Sequence, residues 1–132
     1  MADFATALRG RLIAAPAVSA VTTRVFWGIV PQGTALPYLR MQVVSDPRPQ
    51  HLQGYDGARV TRIQVDAFAS TYGTARQLSE AIISAVATPA TFGGVHFGRT
   101  AAEGPRDLGE DVDGIGYVHR LSLDLLAEHR MP

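Results

Sequence analysis

The segment from Arg59 to Ala87, RVTRIQVDAFASTYGTARQLSEAIISAVA, constrains the fold more than any other, because its hydrophobic period changes partway along. In its first half Thr61, Ile63, Val65 and Ala67 point one way, while Val60, Arg62, Gln64, Asp66 and Phe68 point the other. A strand half-buried in a sheet needs that alternation, since successive side chains leave opposite faces. Beyond Ala69 the spacing becomes helical. Ala75, Leu78, Ile82 and Val86 form an apolar stripe widened by Ala81 and Ala85, with Arg76, Gln77, Glu80 and Ser84 on the other side. Ser70 and Thr71 mark the switch, and either can cap the helix N-terminus. So short a connection makes the helix fold back on the sheet it leaves, which calls for an α+β layer arrangement.

The rest of the chain extends this unit. An amphipathic helix is expected from Asp3 to about Ala14, with Phe4, Leu8 and Leu12 four apart and Pro16 helping to end it. A short strand is expected at Arg24 to Trp27, then a turn-rich link from Gly28 to Leu36. A second strand covers Tyr38 to Ser45, with Leu39, Met41 and Val43 alternating against Arg40, Gln42 and Val44. The third strand is Ala58 to Ala69. After the second helix come Pro89 and the Gly93-Gly94 turn, a fourth strand near Val95 to Ala101, and a polar, acidic loop from Glu103 to Gly116. The last strand covers Tyr117 to Ala127, with Leu121, Leu123 and Leu125 facing the core. The predicted order is αβββαββ, a mostly antiparallel sheet of four to five strands with both helices on one face. Residues 1–132 read as one domain, a length that supports a single modest core.

Composition narrows the function classes. The chain has no cysteine, which removes disulfides, thiolate metal sites and cysteine nucleophiles. Twelve basic residues balance twelve acidic ones, so there is no strong global attraction to DNA or to an anionic membrane. No run approaches the roughly 20 apolar residues of a membrane span, and the first residues lack the continuous apolar core of a secretory signal. Every basic residue is arginine. GC-rich codon usage accounts for this. So does service at protein interfaces, where the planar guanidinium pairs well with carboxylates.

Searching for chemistry yields little. Asp107, Glu110, Asp111 and Asp113 are oxygen-rich, but their spacing is not that of a calcium loop. His51, His96, His119 and His129 lack metal-ligand spacing, although His96 and His119 fall on strands and could be neighbours. There is no nucleophile elbow and no phosphate-cradling loop ending in Lys-Ser or Lys-Thr. The expectation is therefore a protein that is not an enzyme and carries no cofactor or metal. Arg40, Arg59 and Arg62 lie on paired strands and could form a basic stripe, but stacking aromatics are sparse. Arg40 and Arg62 are expected to meet Asp66, Asp124 or a neighbouring subunit. Trp27 precedes Gly28 and a Pro-Gln-Gly turn, a position that suits either a core residue or an interface anchor.

Four segments together carry a resemblance. Strand, TYGTARQL and helix form one, and RVFWGIVPQGTALPYLRMQVVS, residues 24–45, with its Pro-Gln-Gly turn at Gln32, forms the second. The third is the helix ending in Ala-Pro-Ala-Val, and the fourth is Arg106-Asp107 followed by a strand ending in Glu128-His129-Arg130. In order and spacing these resemble the tail-terminator or tail-completion proteins of long-tailed phages and phage-like gene-transfer particles. The resemblance implies a structural virion protein, assembled in the bacterial cytoplasm, that caps the tail tube and forms the tail side of the head–tail junction. Its partners would be copies of itself in a ring, by implication a hexamer, together with the tail tube protein and a head-side neck or stopper protein. DNA would be only passing cargo in the bore, and no membrane would be involved. Related readings are a tube protein, a stopper or an adaptor; a small enzyme is the more distant one. The long Asp46–Gly57 loop is then either solvated or an arm that orders against a partner, with Leu52 and Tyr55 as apolar anchors and Arg48, His51 and Asp56 as polar contacts. The acidic Glu103–Gly116 loop, with Arg106, Asp107 and Glu110, is the second candidate arm.

Overall fold

A computed structural model describes residues 3–48, 50–51, 54–55 and 58–130, the two short pairs by their backbone only. The elements are α1 (Phe4–Ala14), α2 (Pro16–Ser19), β1 (Val25–Trp27), β2 (Tyr38–Ser45), β3 (Gln50–His51) and β4 (Gly54–Tyr55). They continue with β5 (Ala58–Ala69), α3 (Tyr72–Val86), β6 (Ala90–Phe92), β7 (Val95–Asp107), β8 (Glu110–Val112) and β9 (Gly116–Arg130). A seven-stranded sheet runs β1-β2-β5-β9-β7-β6, with β8 added beside β9, and β3 pairs only β4. The α+β class and the antiparallel centre are as expected; the strand count and order are not. β1 lies parallel to β2, with Val25 opposite Leu39, and β6 and β8 are short strands that the sequence pattern does not announce.

The spine is the β5–β9 pair, antiparallel from Ala58 opposite Arg130 to Ala69 opposite His119. Its alternation is as read from the sequence: Ile63, Val65, Leu123 and Leu125 are fully buried on one face. α1 and α3 cover that face, joining Leu8, Leu12, Leu78, Ile82 and Val86 to Leu39 and Met41 in one core, and the short α2 is a third helix beyond the two expected. Each such large aliphatic side chain contributes about 1.5–3 kcal/mol by leaving water. Thr71 is the cap of α3, accepting from the Thr74 N–H at 3.2 Å. Asp3 caps α1 in the same way through Thr6. Pro16 does more than end α1: it occupies the first turn of α2, where its missing N–H costs nothing.

Two corrections concern the second half. The fourth strand does not stop at Ala101; β7 continues to Asp107 through bulges after Phe97 and after Glu103. The acidic Glu103–Gly116 segment is accordingly not a loop. It is the end of β7, then β8, then a tight turn into β9. Gly104 and Pro105 sit at the second bulge, where irregular backbone is tolerated. Nor do His96 and His119 meet: His96 lies opposite Arg130 and His119 opposite Ala69, at the two ends of the spine.

Candidate assembly surfaces

The face of the sheet away from the helices carries a lattice of paired ions. Asp66 points to it yet is fully buried, because three side chains close over its carboxylate. Arg40 and Arg120 each donate through Nη2 to Oδ2, at 3.2 and 3.0 Å, and Gln64 Nε2 lies 3.2 Å from both oxygens. The register explains the convergence: Arg40 is directly opposite Asp66, and Arg120 is opposite Phe68 one pleat along the same face. Both guanidinium carbons stand over the Phe68 ring, 5.7 and 5.6 Å from its centroid, and Tyr38 stacks on that ring at 4.8 Å. Cation–π attraction thus holds the arginines flat against the sheet.

A second knot lies further along. Arg62 donates to Asp124 at 2.8 Å and to Glu103 at 3.3 Å, and Arg106 donates to Asp124 at 3.3 Å. The Asp124 hydrogen bond, helped by the charge of Glu103, pushes the Arg62 guanidinium further toward its protonated form. Val60 and the Tyr38–Phe68 stack are apolar islands among these ions.

At one end of the spine, the base of the 46–57 segment is tied to the core. Thr61 Oγ1 donates to Asp46 Oδ1 at 2.9 Å and lies 2.7 Å from His129 Nε2. The hydroxyl's single proton goes to the carboxylate, so the imidazole donates its Nε2–H to the hydroxyl. Phe4 stacks on the buried His129 ring at 4.0 Å. Burial pushes the His129 pKa down, and Arg48 adds to this while Asp46 opposes it. Thr61 is fully buried, so its hydroxyl is closed to any substrate and the hydrogen-bond chain is structural. Its effect is to fix Asp46, which also receives Arg48 at 2.8 Å and Arg59 at 3.5 Å.

At the other end, Thr34, Leu36, Tyr38, Phe68, Glu110, Val112, Ile115 and Val118 line a small cleft between the 28–37 link and the β8–β9 turn. Gln32 is exposed beside Gly33, whose φ of 82° makes the Pro-Gln-Gly turn possible. Trp27 is half-buried against the core, and its Nε1 donates to the Ala5 carbonyl at 2.9 Å, tying β1 to α1.

The structure thus places the sequence-derived candidates in three groups. Arg40, Arg59, Arg62 and Arg106 are committed to carboxylates of their own chain. Gln32, Asp107 and Glu110 are exposed at the turn-rich end of the sheet, Asp107 accepting from the Gly109 N–H. Arg48 is exposed at the base of the arm. Leu52 and Asp56 lie outside the described residues, as do the side chains of His51 and Tyr55, whose backbones pair in β3 and β4. Arg120 and Ile115 are not singled out by sequence reasoning, and His129 figures there only as a histidine without metal-ligand spacing and as part of the closing strand. Arg120 was legible, because it alternates with Leu121 and so shares a face with Asp66. Among the described residues no group of His, Asp or Glu has metal-binding geometry, and no helix is long and apolar enough to cross a membrane.

Comparison with known proteins gives the frame for these surfaces. No curated protein sequence matches the chain. A chain in the solved structure "Virion of native gene transfer agent (GTA) particle" shares the fold, with a TM-score of 0.60 at 15% identity, covering 96% of this chain and 92% of that one. The family of tail completion protein gp17 matches residues 6–111. With the match spanning most of the α+β unit, the chain belongs to the tail completion protein gp17 family, structural components of phage tails.

Proposed function

We propose that this protein closes the finished tail tube as a ring of identical subunits, a hexamer, and presents the tail side of the head–tail junction. Family membership supports a structural role in the tail. The observation that carries the finer reading is the helix-free face of the sheet. Its central ions are already paired within the chain, and Tyr38, Phe68 and Val60 lie among them, so the middle of the face can be covered by another subunit without stranding a charge. In this reading the tail tube protein and a head-side neck or stopper protein contact the two rims, DNA passes through the bore, and assembly takes place in the bacterial cytoplasm. Gln32, Trp27, Arg48, Asp107, Glu110 and the arm with His51, Leu52, Tyr55 and Asp56 contribute contacts. Arg40, Arg59, Arg62 and Arg106 enter those contacts as preformed ion pairs.

Light scattering over a concentration series, followed by electron microscopy with purified tail tubes, tests this. A discrete species near six subunits that seats on tube ends is the expected result. Long polymers of the protein alone would identify a tube subunit instead. A monomer that neither assembles nor caps tubes would refute the ring.

A further inference from the structure

The two ends of the long β5–β9 pair carry features that a single molecule leaves unmatched. At one end the β8–β9 connection turns at Val112-Asp113-Gly114-Ile115, closed by the Ile115 N–H donating to the Val112 carbonyl at 3.0 Å. Gly114, at φ 81°, takes the left-handed position such a turn requires. Ile115 projects from the tip, 67% exposed. Asp111 and Asp113 flank it, Glu110 lies at the start of β8 and Asp107 further back beside β9, opposite Leu121, and none forms an ion pair among the described residues.

At the other end, Pro47, Ala58, Arg59, Val60 and Glu128 line a shallow, mainly apolar groove on the helix-free face, with Val60 47% exposed. Arg130, directly opposite Ala58, borders it, and Arg99 lies nearby in the β7 bulge. Every other arginine donates to a carboxylate or a backbone carbonyl of its own chain; Arg99 and Arg130 alone have no such acceptor among the described residues. Among the described residues Glu128 is the one unpaired carboxylate there. Arg48 and Arg59 share the single charge of Asp46, so the described residues at this end are net positive. The tip and the groove cannot meet within one molecule. From Gly116 to Glu128, the residue opposite Val60, β9 runs for roughly 40 Å at ~3.4 Å per residue.

We propose that the Ile115 turn of one copy seats in the Pro47–Ala58–Val60 groove of the next, with Asp111 and Asp113 facing Arg130 and Arg99. This rests on the self-assembly reading above and names its subunit contact. An apolar knob flanked by acids meets an apolar groove bordered by bases, so the occupant is a second copy of this chain. Because the two surfaces differ, the contact is heterologous and propagates head to tail, closing into a ring when the rotation permits.

The absence of cysteine makes a clean test possible. The double variant Val60→Cys, Ile115→Cys is assembled, oxidised or treated with a short bis-maleimide, and run under denaturing conditions. A ladder ending at the ring's subunit number is expected, with nothing beyond dimer for either single variant. In parallel, Asp113→Arg and Arg130→Glu each raise the concentration for half-assembly about tenfold or more, and the combination restores it. A wild-type ring accompanied by no ladder and by reversals without effect overturns this contact while leaving the ring intact. A wild type that never assembles, alone or on tubes, overturns the ring and the contact with it.

Discussion

Replacing Asp66 by Asn tests whether the ion lattice holds the sheet or merely decorates it. The substitution keeps the volume and removes the charge that Arg40 and Arg120 share. Both guanidiniums donate to Oδ2, so both can keep the amide oxygen as a neutral acceptor, while the NH2 group at the Oδ1 position faces the Gln64 Nε2 donor. The two bonds lose their ion-pair character, and a bond to a charged group is worth about 1.5–3 kcal/mol against about 0.5–1.5 kcal/mol for a neutral one. Breaking a wholly buried pair costs about 3–5 kcal/mol, but the arginine side chains are 28% and 26% exposed, so water regains part of them. We expect a loss of about 2–3 kcal/mol. For 132 residues the unfolding entropy is about 280 cal/mol/K, so the melting temperature should fall by about 7–11 °C. Circular dichroism melts below the assembly concentration measure this, and a double-mutant cycle with Arg120→Gln isolates the pair. A loss under about 0.5 kcal/mol, or no coupling in the cycle, would refute the reasoning. A third variant separates stability from specificity. With Asp66→Leu, Arg40→Met and Arg120→Met together, the charges vanish as a set, and the fold should be about as stable as wild type.

Leu123→Ala, in the fully buried centre of β9, should cost about 2–5 kcal/mol in urea unfolding, and a loss below about 1 kcal/mol would place the core elsewhere. Thr71→Ala should remove the α3 cap at about 1 kcal/mol, read from the same curves, whereas Thr71→Asp should restore most of it. Burial holds the His129 pKa below 6.5, so the folded state favours the neutral ring. Stability should be undiminished by this group above about pH 6.5 and fall as the pH drops from there through the lower folded value; His129→Gln should flatten that slope in urea midpoints taken from pH 8 to 5. Ring assembly should weaken with salt before the fold does, because contacts at exposed ends are screened over a Debye length of about 8–10 Å while the buried Asp66 clamp is not. Light scattering and melts over one salt series would show both midpoints, and parallel loss of the two would contradict this.

What the sequence made legible depends on how local the cause was. The alternation of β5 and β9, the stripe of α3 and the Thr71 cap follow from neighbours along the chain, and each is where the pattern put it. The Arg40–Asp66 and Arg62–Asp124 pairs were legible for the same reason, since strand parity decides which side chains share a face. β6 and β8 were not, because three residues carry no periodicity and acquire strand character only from the long neighbours they pair with. β1 was placed correctly, but its parallel direction depends on how the 28–37 link crosses back, which no local pattern encodes. The acidic segment misled because its residues are polar on both faces. It is extended nonetheless, since its backbone completes the ladder on β9 and its side chains meet water.

The arginines show where this leaves function. An all-arginine, charge-balanced chain suggests ions meeting between subunits, yet most of its guanidiniums are spent inside one molecule, flattening a sheet face that has no helix to cover it. That internal use has a consequence for assembly. A face whose charges are already paired is permissive toward a neighbour, but it cannot choose the neighbour's register. The choice falls to groups left unpaired, and in this fold they lie at opposite ends of the longest strands, acids at the β8–β9 turn and Arg99 and Arg130 beyond β5. Separating the two by the full length of β9 prevents self-satisfaction within one chain. The same separation makes the contact directional, as a closed ring of identical subunits requires.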